Sequence, residues 1–192
     1  MLLIGADAAT DLDLFDAAQT AIVQENFTDY QSLKARGFDV ATRAEGDFDG
    51  AVVFLSRARA ATRARIAEAA ARLKPGASLW IDGQKTDGID AVLKELRALA
   101  PVDEGQSRAH GKIFRVTLPA GDWLPADWAA RDHEAAPGMV TRPGVFSADG
   151  PDPASQALAA HLPEKLPTRM ADLGAGWGWL SAPLLTQPGL ET

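Results

Sequence analysis

Asp172-Leu173-Gly174-Ala175-Gly176-Trp177-Gly178 places an acid at the end of a run that reads as a strand, Arg169-Met170-Ala171, followed by three glycines at alternate positions. Glycine reaches positive φ without a Cβ penalty and lets a ligand lie against the backbone. A turn of this kind, opening a helix, can cradle a nucleotide-like cofactor. The spacing discriminates between cofactors. A dinucleotide turn needs Gly-x-Gly-x-x-Gly, and the third glycine would fall where the chain has Trp179. A tight turn with no ligand is the plainer reading of the same glycines.

The elements that must position this turn can be read from periodicity. Met1–Ile4, Ala21–Gln24 and Phe38–Thr42 read as strands, and Ala51–Leu55 is a continuous apolar run suited to a strand buried on both faces. Ala77–Ile81 follows, then Val102–Ser107 and Lys112–Leu118 as a closing pair. Helices are expected over Phe27–Arg36, with Phe27 and Tyr30 as core, over Arg59–Leu73 ending at Lys74-Pro75-Gly76, over Asp90–Leu99 and over Ala154–His161. Strands alternating with helices imply an α/β fold, a doubly wound and mostly parallel sheet with an antiparallel end. From Pro119 the composition shifts to Gly and Pro around Trp123 and Trp128, which reads as a linker whose tryptophans tether it to a domain face.

The totals narrow the function classes. Net charge is −7 over 192 residues, which argues against a general nucleic-acid coat. The stretch from Arg57 to Lys74 is a local exception: six basic residues against Glu68 alone. Either it contacts phosphate, with Arg63 and Arg65 as candidates, or it is a solvated helix face. The absence of cysteine excludes disulfides and thiolate metal sites, and His110, His133 and His161 lie too far apart for a spaced metal pair. No apolar run approaches a membrane span and no signal-like N-terminus is present, so a cytoplasmic location is the simplest expectation.

Asp-x-Gly-x-Gly-x-Gly resembles the first loop of class I methyltransferases that use S-adenosylmethionine (SAM). Pro143-Gly144-Val145-Phe146-Ser147, followed by Asp149-Gly150, Asp152, Ser155 and Gln156, narrows this. It resembles the segment before the cofactor loop in bacterial 16S ribosomal RNA guanine-N2 methyltransferases of the RsmC type. Trp80–Lys85 through Gly88 to Gly111-Lys112 is similar, more loosely, to the same family's N-terminal domain. Those enzymes are tandem duplications, an inactive N-terminal copy preceding a catalytic one.

The resemblance implies a degenerate methyltransferase-like domain at 1–118, a linker at 119–142 and the beginning of a second, SAM-binding Rossmann-like domain at 143–192. It implies SAM held by Asp172, Gly174, Ala175, Gly176 and Gly178, with Phe146 and Ser147 bordering the pocket. Arg142, Arg63 and Arg65 become candidates for ribosomal RNA or small-subunit contact; no metal and no membrane are expected. The family's Asn-Pro-Pro-aromatic motif has no counterpart: the one asparagine is Asn26, and after Val52–Leu55 the chain reads Ser56-Arg57-Ala58-Arg59. No catalytic residue is therefore assigned, and the expectation is an inactive chain belonging to an active parent. Two other readings stay open, a non-catalytic RNA-binding or scaffolding module and a methyltransferase with a protein or small-molecule acceptor.

Overall fold

The computed structural model describes residues 1–163 and 166–186, the side chain of residue 75 excepted. They fall into two compact units, Met1–Ala130 and Arg131–Thr192, of which residues 187–192, the end of the stretch read as a second domain, lie outside the description.

The first unit runs β1 (Leu2–Ile4), β2 (Ala21–Val23), α1 (Phe27–Ala35), β3 (Asp39–Ala41), β4 (Phe48–Phe54), α2 (Arg59–Ala71), β5 (Leu73–Gln84), α3 (Ile89–Arg97), β6 (Gln106–Arg108) and β7 (Gly111–Thr117). The sheet order is β3-β2-β1-β4-β5-β7-β6. Pairings from β3 through β5 are parallel, and β7 joins antiparallel to both β5 and β6. The expected α/β class, doubly wound with an antiparallel end, is what the first unit adopts. Strand order turns back on itself between β1 and β4, so the crevice at their carboxyl ends is the place where open α/β sheets take ligands.

Alternation along the central strands feeds two cores. Leu2, Ile4, Ala51, Val53, Leu79, Ile81, Phe114 and Val116 face α2 and α3, where Ile66, Ala69, Val92, Leu93 and Leu96 close the layer. Leu3, Ile22, Val40 and Val52 face the other way, onto Leu12, Leu33 and Phe38. Successive residues of a strand point to opposite faces, so Leu2, Leu3 and Ile4 are all buried, yet not in the same core.

One expectation needs correction here. Phe27 is not core: it is 71% exposed in the first turn of α1, just after the Asn26 cap, while Tyr30 one turn later packs against the second core. The stretch read as a linker begins as part of the first unit. Trp128 is buried in the larger core with Trp123 and Leu124 beside it, and the Arg63 guanidinium lies 5.2 Å from the Trp128 ring centre. The tethering role expected for these tryptophans is thus the observed one.

The second unit carries a hairpin, β8 (His133–Ala136) with β9 (Met139–Thr141), then α4 (Pro153–Ala160) and α5 (Ser181–Leu185). Asp152 caps α4 by accepting from the Ser155 amide at 2.9 Å. Among its described residues Thr141 alone is buried. The run before Asp172 was expected to be a strand and is not one. A strand exists by pairing, and no described residue of this unit pairs with 169–172.

Candidate functional site

The alternate glycines do what their spacing asks. Gly174, Gly176 and Gly178 all take positive φ, at +81°, +59° and +85°. The Gly178 amide donates to the Ala175 carbonyl at 2.9 Å and the Gly178 carbonyl accepts from Ala182 at 2.9 Å, so the turn runs directly into α5. Among the described residues, a Cβ built on Gly174 meets no heavy atom within 4 Å, and one on Gly176 only the Gly174 carbonyl at 3.9 Å. The space over the backbone is open to a ligand, so the turn's geometry fits a group laid along it.

Asp172 stands at the entrance of the turn. Its Oδ2 accepts from the Ser181 hydroxyl at 2.6 Å, tying the acid to the first residue of α5. Met139 of β9 approaches the far side of the turn, with Cε 3.9 Å from a Cβ built on Gly178. Phe146 is 72% exposed and Ser147 sits at φ +53°, a left-handed backbone that a serine adopts at a cost. The Ser147 carbonyl accepts from Gly150, and the neighbouring Ala148 carbonyl from the Thr141 hydroxyl at 2.6 Å. Arg142 pairs with Asp132 at 3.4 Å.

In the first unit the equivalent crevice is filled. The turn after β1 has Gly5 at φ +82°, and the space above it is taken by Arg65 of α2, whose Nη1 donates to the Phe54 carbonyl at the end of β4 at 2.8 Å. Burial pushes the Arg65 guanidinium below its usual range, with the Glu25 charge acting in the opposite sense. Next to it, Thr62 closes the end of β4: its hydroxyl donates to the Ser56 carbonyl at 2.9 Å and accepts from the Ser56 amide at 3.0 Å. Thr62 is 1% exposed, so both bonds are shielded.

The basic stretch at 57–74 is not a bare phosphate-facing surface. Arg59 and Arg63 both reach Glu95 of α3, Arg63 at 3.0 Å, while Arg57 lies 3.9 Å from Asp87 and Lys74 2.7 Å from Asp49. Acids far away in sequence meet these cations, and local charge counting had no access to them. Arg63 and Arg65 are engaged inside the first unit, whereas Arg142 belongs to the unit that carries the glycine turn. Arg65 as a plug for the crevice was invisible in the sequence, since nothing along the chain links it to Gly5 or Phe54.

No described helix is long and apolar enough to cross a membrane, and no described cluster of His, Cys, Asp or Glu is arranged to hold a metal ion.

Comparison with known proteins gives consistent findings. Residues 1–128 match the family model described as methyltransferase small domain N-terminal, and residues 137–191 match the methyltransferase small domain. Curated relatives include ribosomal RNA small subunit methyltransferase C of Hahella chejuensis, 31% identical over 76% of this chain and 45% of its own length. The protein of the same name from Stutzerimonas stutzeri is 34% identical over 73% of this chain and 44% of its own. The chain thus spans about half the length of the curated relatives it matches. Among solved structures, the T. thermophilus 16S rRNA N2 methyltransferase (RsmC), in complex with AdoMet and guanosine, aligns at TM-score 0.63 and 25% identity over 83% of this chain and 47% of that one. The N-methyltransferase NodS from Bradyrhizobium japonicum, at TM-score 0.50 and 15% identity over 62% of this chain and 84% of that one, shows the fold alone.

Proposed function

The chain belongs to the methyltransferase small family, and from that premise we propose that it is the RNA-supporting and cofactor-entry half of a SAM-dependent methyltransferase acting on guanine N2 of 16S ribosomal RNA. The observation that carries the reading is the contrast between two glycine turns, one in each unit. Gly174, Gly176 and Gly178 hold an open backbone bend with Asp172 anchored beside it, while the turn at Gly5 is stopped by Arg65. In this reading one half keeps the cofactor site and the other has lost it.

SAM, when bound, supplies an electrophilic methyl group on a sulfonium. Asp172, Gly174, Ala175, Gly176 and Gly178 would hold it: the glycines would present amides and a bare edge to its aminoacyl part, and Asp172 would accept from the ammonium group of that part. Phe146 would border the pocket as an apolar wall, with Ser147 fixing the backbone on which it stands. Arg142 would meet an RNA phosphate near the pocket. An exocyclic amine must be turned out of its stack and aligned before transfer, so positioning dominates over acid–base chemistry. No residue of this chain is assigned to that alignment, since it lacks any Asn-Pro pair. The transfer step is therefore proposed for a longer protein that carries this chain.

Methyl transfer from labelled SAM tests the reading. The longer protein should label small-subunit RNA and neither free guanosine nor protein, and the 192-residue chain alone should label none of them. Labelling of a protein or small-molecule acceptor in place of RNA would overturn it.

A further inference from the structure

We propose that the pocket between the β6–β7 hairpin tip and the start of α3 is a binding site for an RNA backbone phosphate; the proposal rests on the reading that the longer protein acts on RNA. The pocket encloses about 350 Å³ and is lined by Lys85, Asp90, Ser107, Arg108, His110 and Lys112 among others. That volume lies within the span of about 300–1,000 Å³ typical of small-ligand sites.

The chemistry of the lining points to an anion. Three permanent cations and one imidazole line one cavity against a single carboxylate, in a chain whose net charge is −7. Lys112 is 2.5 Å from Asp90, whose charge Lys85 also feels from farther off, and among the described residues neither Lys85 nor Arg108 lies within salt-bridge distance of an acid. Both are exposed, and the Ser107 hydroxyl adds a neutral donor. Convergent cations and a hydroxyl are the donor set that holds a phosphodiester. An acidic peptide would be repelled by the rest of this surface as strongly as RNA, but it lacks the closely spaced charges that several converging donors can share.

The site is also built. Ala109 and His110 both take left-handed backbone, at φ +47° and +65°, which makes the tight hairpin; Lys112 stands opposite Ser107 and Arg108 opposite Gly111, so the two cations leave from opposite faces beside the tip and both border the cavity there. The His110 carbonyl accepts from the Lys85 amide at 3.0 Å, locking the hairpin tip to the turn that precedes α3. No side chain caps α3 at Gly88, and Asp90 in its first turn offsets its positive end. The stretch Trp80–Lys85 through Gly88 to Gly111-Lys112, similar to the family's N-terminal domain, is the stretch that makes this pocket.

The test measures binding of the 192-residue chain to fluorescently labelled, protein-free 16S ribosomal RNA by anisotropy over a series of salt concentrations. Lys85→Gln with Arg108→Gln should weaken affinity at least about fivefold and flatten the slope of log K against log salt by about one to two. Arg43→Gln with Arg97→Gln removes the same charge elsewhere on the first unit and should leave both within about twofold. Circular dichroism melts confirm that each variant is folded. In parallel, inorganic phosphate titrated into ¹⁵N-labelled chain should move the amides of residues 107–112, and the pocket variant should abolish those shifts. RNA affinity unchanged in the pocket variant overturns the pocket while leaving the RNA reading standing, as does equal loss in the two variants. A wild-type chain that takes phosphate at residues 107–112 yet has no affinity for RNA overturns the RNA assignment and the functional reading together.

Discussion

The Arg65 guanidinium occupies the volume that a side chain on Gly5 would claim: Cζ lies 2.6 Å from a Cβ built there, and Nη1 donates to the Phe54 carbonyl at 2.8 Å. Gly5 follows β1 and Phe54 ends β4, the two strands that flank the reversal of strand order, so the arginine closes the ligand crevice of the first unit from within. The two residues should be energetically coupled. Gly5→Ala introduces both the overlap and a strained φ of +82°, and Arg65→Ala orphans a carbonyl at a cost of about 1–3 kcal/mol. The double variant should be less destabilised than the sum by at least about 0.5 kcal/mol, measured by urea unfolding. Simple additivity would mean that the arginine does not fill the space over Gly5.

Thr62 is expected to matter more than its small size suggests. Thr62→Val keeps the shape but strips both bonds to the Ser56 backbone, leaving a half-buried amide and a half-buried carbonyl without those partners. A loss of about 1–3 kcal/mol is predicted, with Thr62→Ser recovering most of it. Equal melting of the valine variant and wild type would show that water replaces the hydroxyl.

Asp82, near the end of β5, is pushed above the ordinary carboxylate range by burial, opposed by a hydrogen bond from the Gly83 backbone. A carboxyl whose folded pKa exceeds its unfolded one is favoured in its protonated form. Its contribution is therefore greatest below the unfolded pKa and is lost as pH rises through the folded value. Asp82→Asn should raise the melting temperature at pH 7 and bring little or no gain at pH 3. A gain that is largest at pH 3 would reverse the sign and refute the burial argument.

Gly176→Val places a β-branched side chain at φ +59°, a backbone that only glycine adopts without strain. In a longer protein carrying this chain it should weaken SAM binding at least tenfold, read by titration calorimetry, while the melting of the first unit stays within about 1 °C. Undiminished affinity would remove the glycine turn from the cofactor site.

Much of this was legible in the chain, and the parts that were not share a cause. β4 and α3 could be read because long apolar runs and helical spacing are local signals, and the alternate glycines announced the turn they make. Phe27 was misread because helical spacing identifies a face only inside a helix, and Phe27 sits at its first position. The run before Asp172 was misread because a strand requires a neighbour, a property of the surrounding chain rather than of the run itself. Glu95 meeting Arg59 and Arg63, and Arg65 meeting Gly5, are contacts across 30 to 60 residues that no periodicity encodes. The separate standing of 1–118, 119–142 and 143–192 as domain, linker and second domain is our proposal; the compact units divide after Ala130.

The central claim is that cofactor is held at the glycine turn and nowhere in the first unit. Ultraviolet cross-linking of methyl-labelled SAM to the longer protein, followed by mass spectrometry of its tryptic peptides, addresses it directly. Label should appear in the peptide beginning at Met170 and be absent from peptides within 1–130. Label in the peptides that carry Gly5 or Phe54 would show that the first unit still binds cofactor, and the division of labour argued above would be wrong.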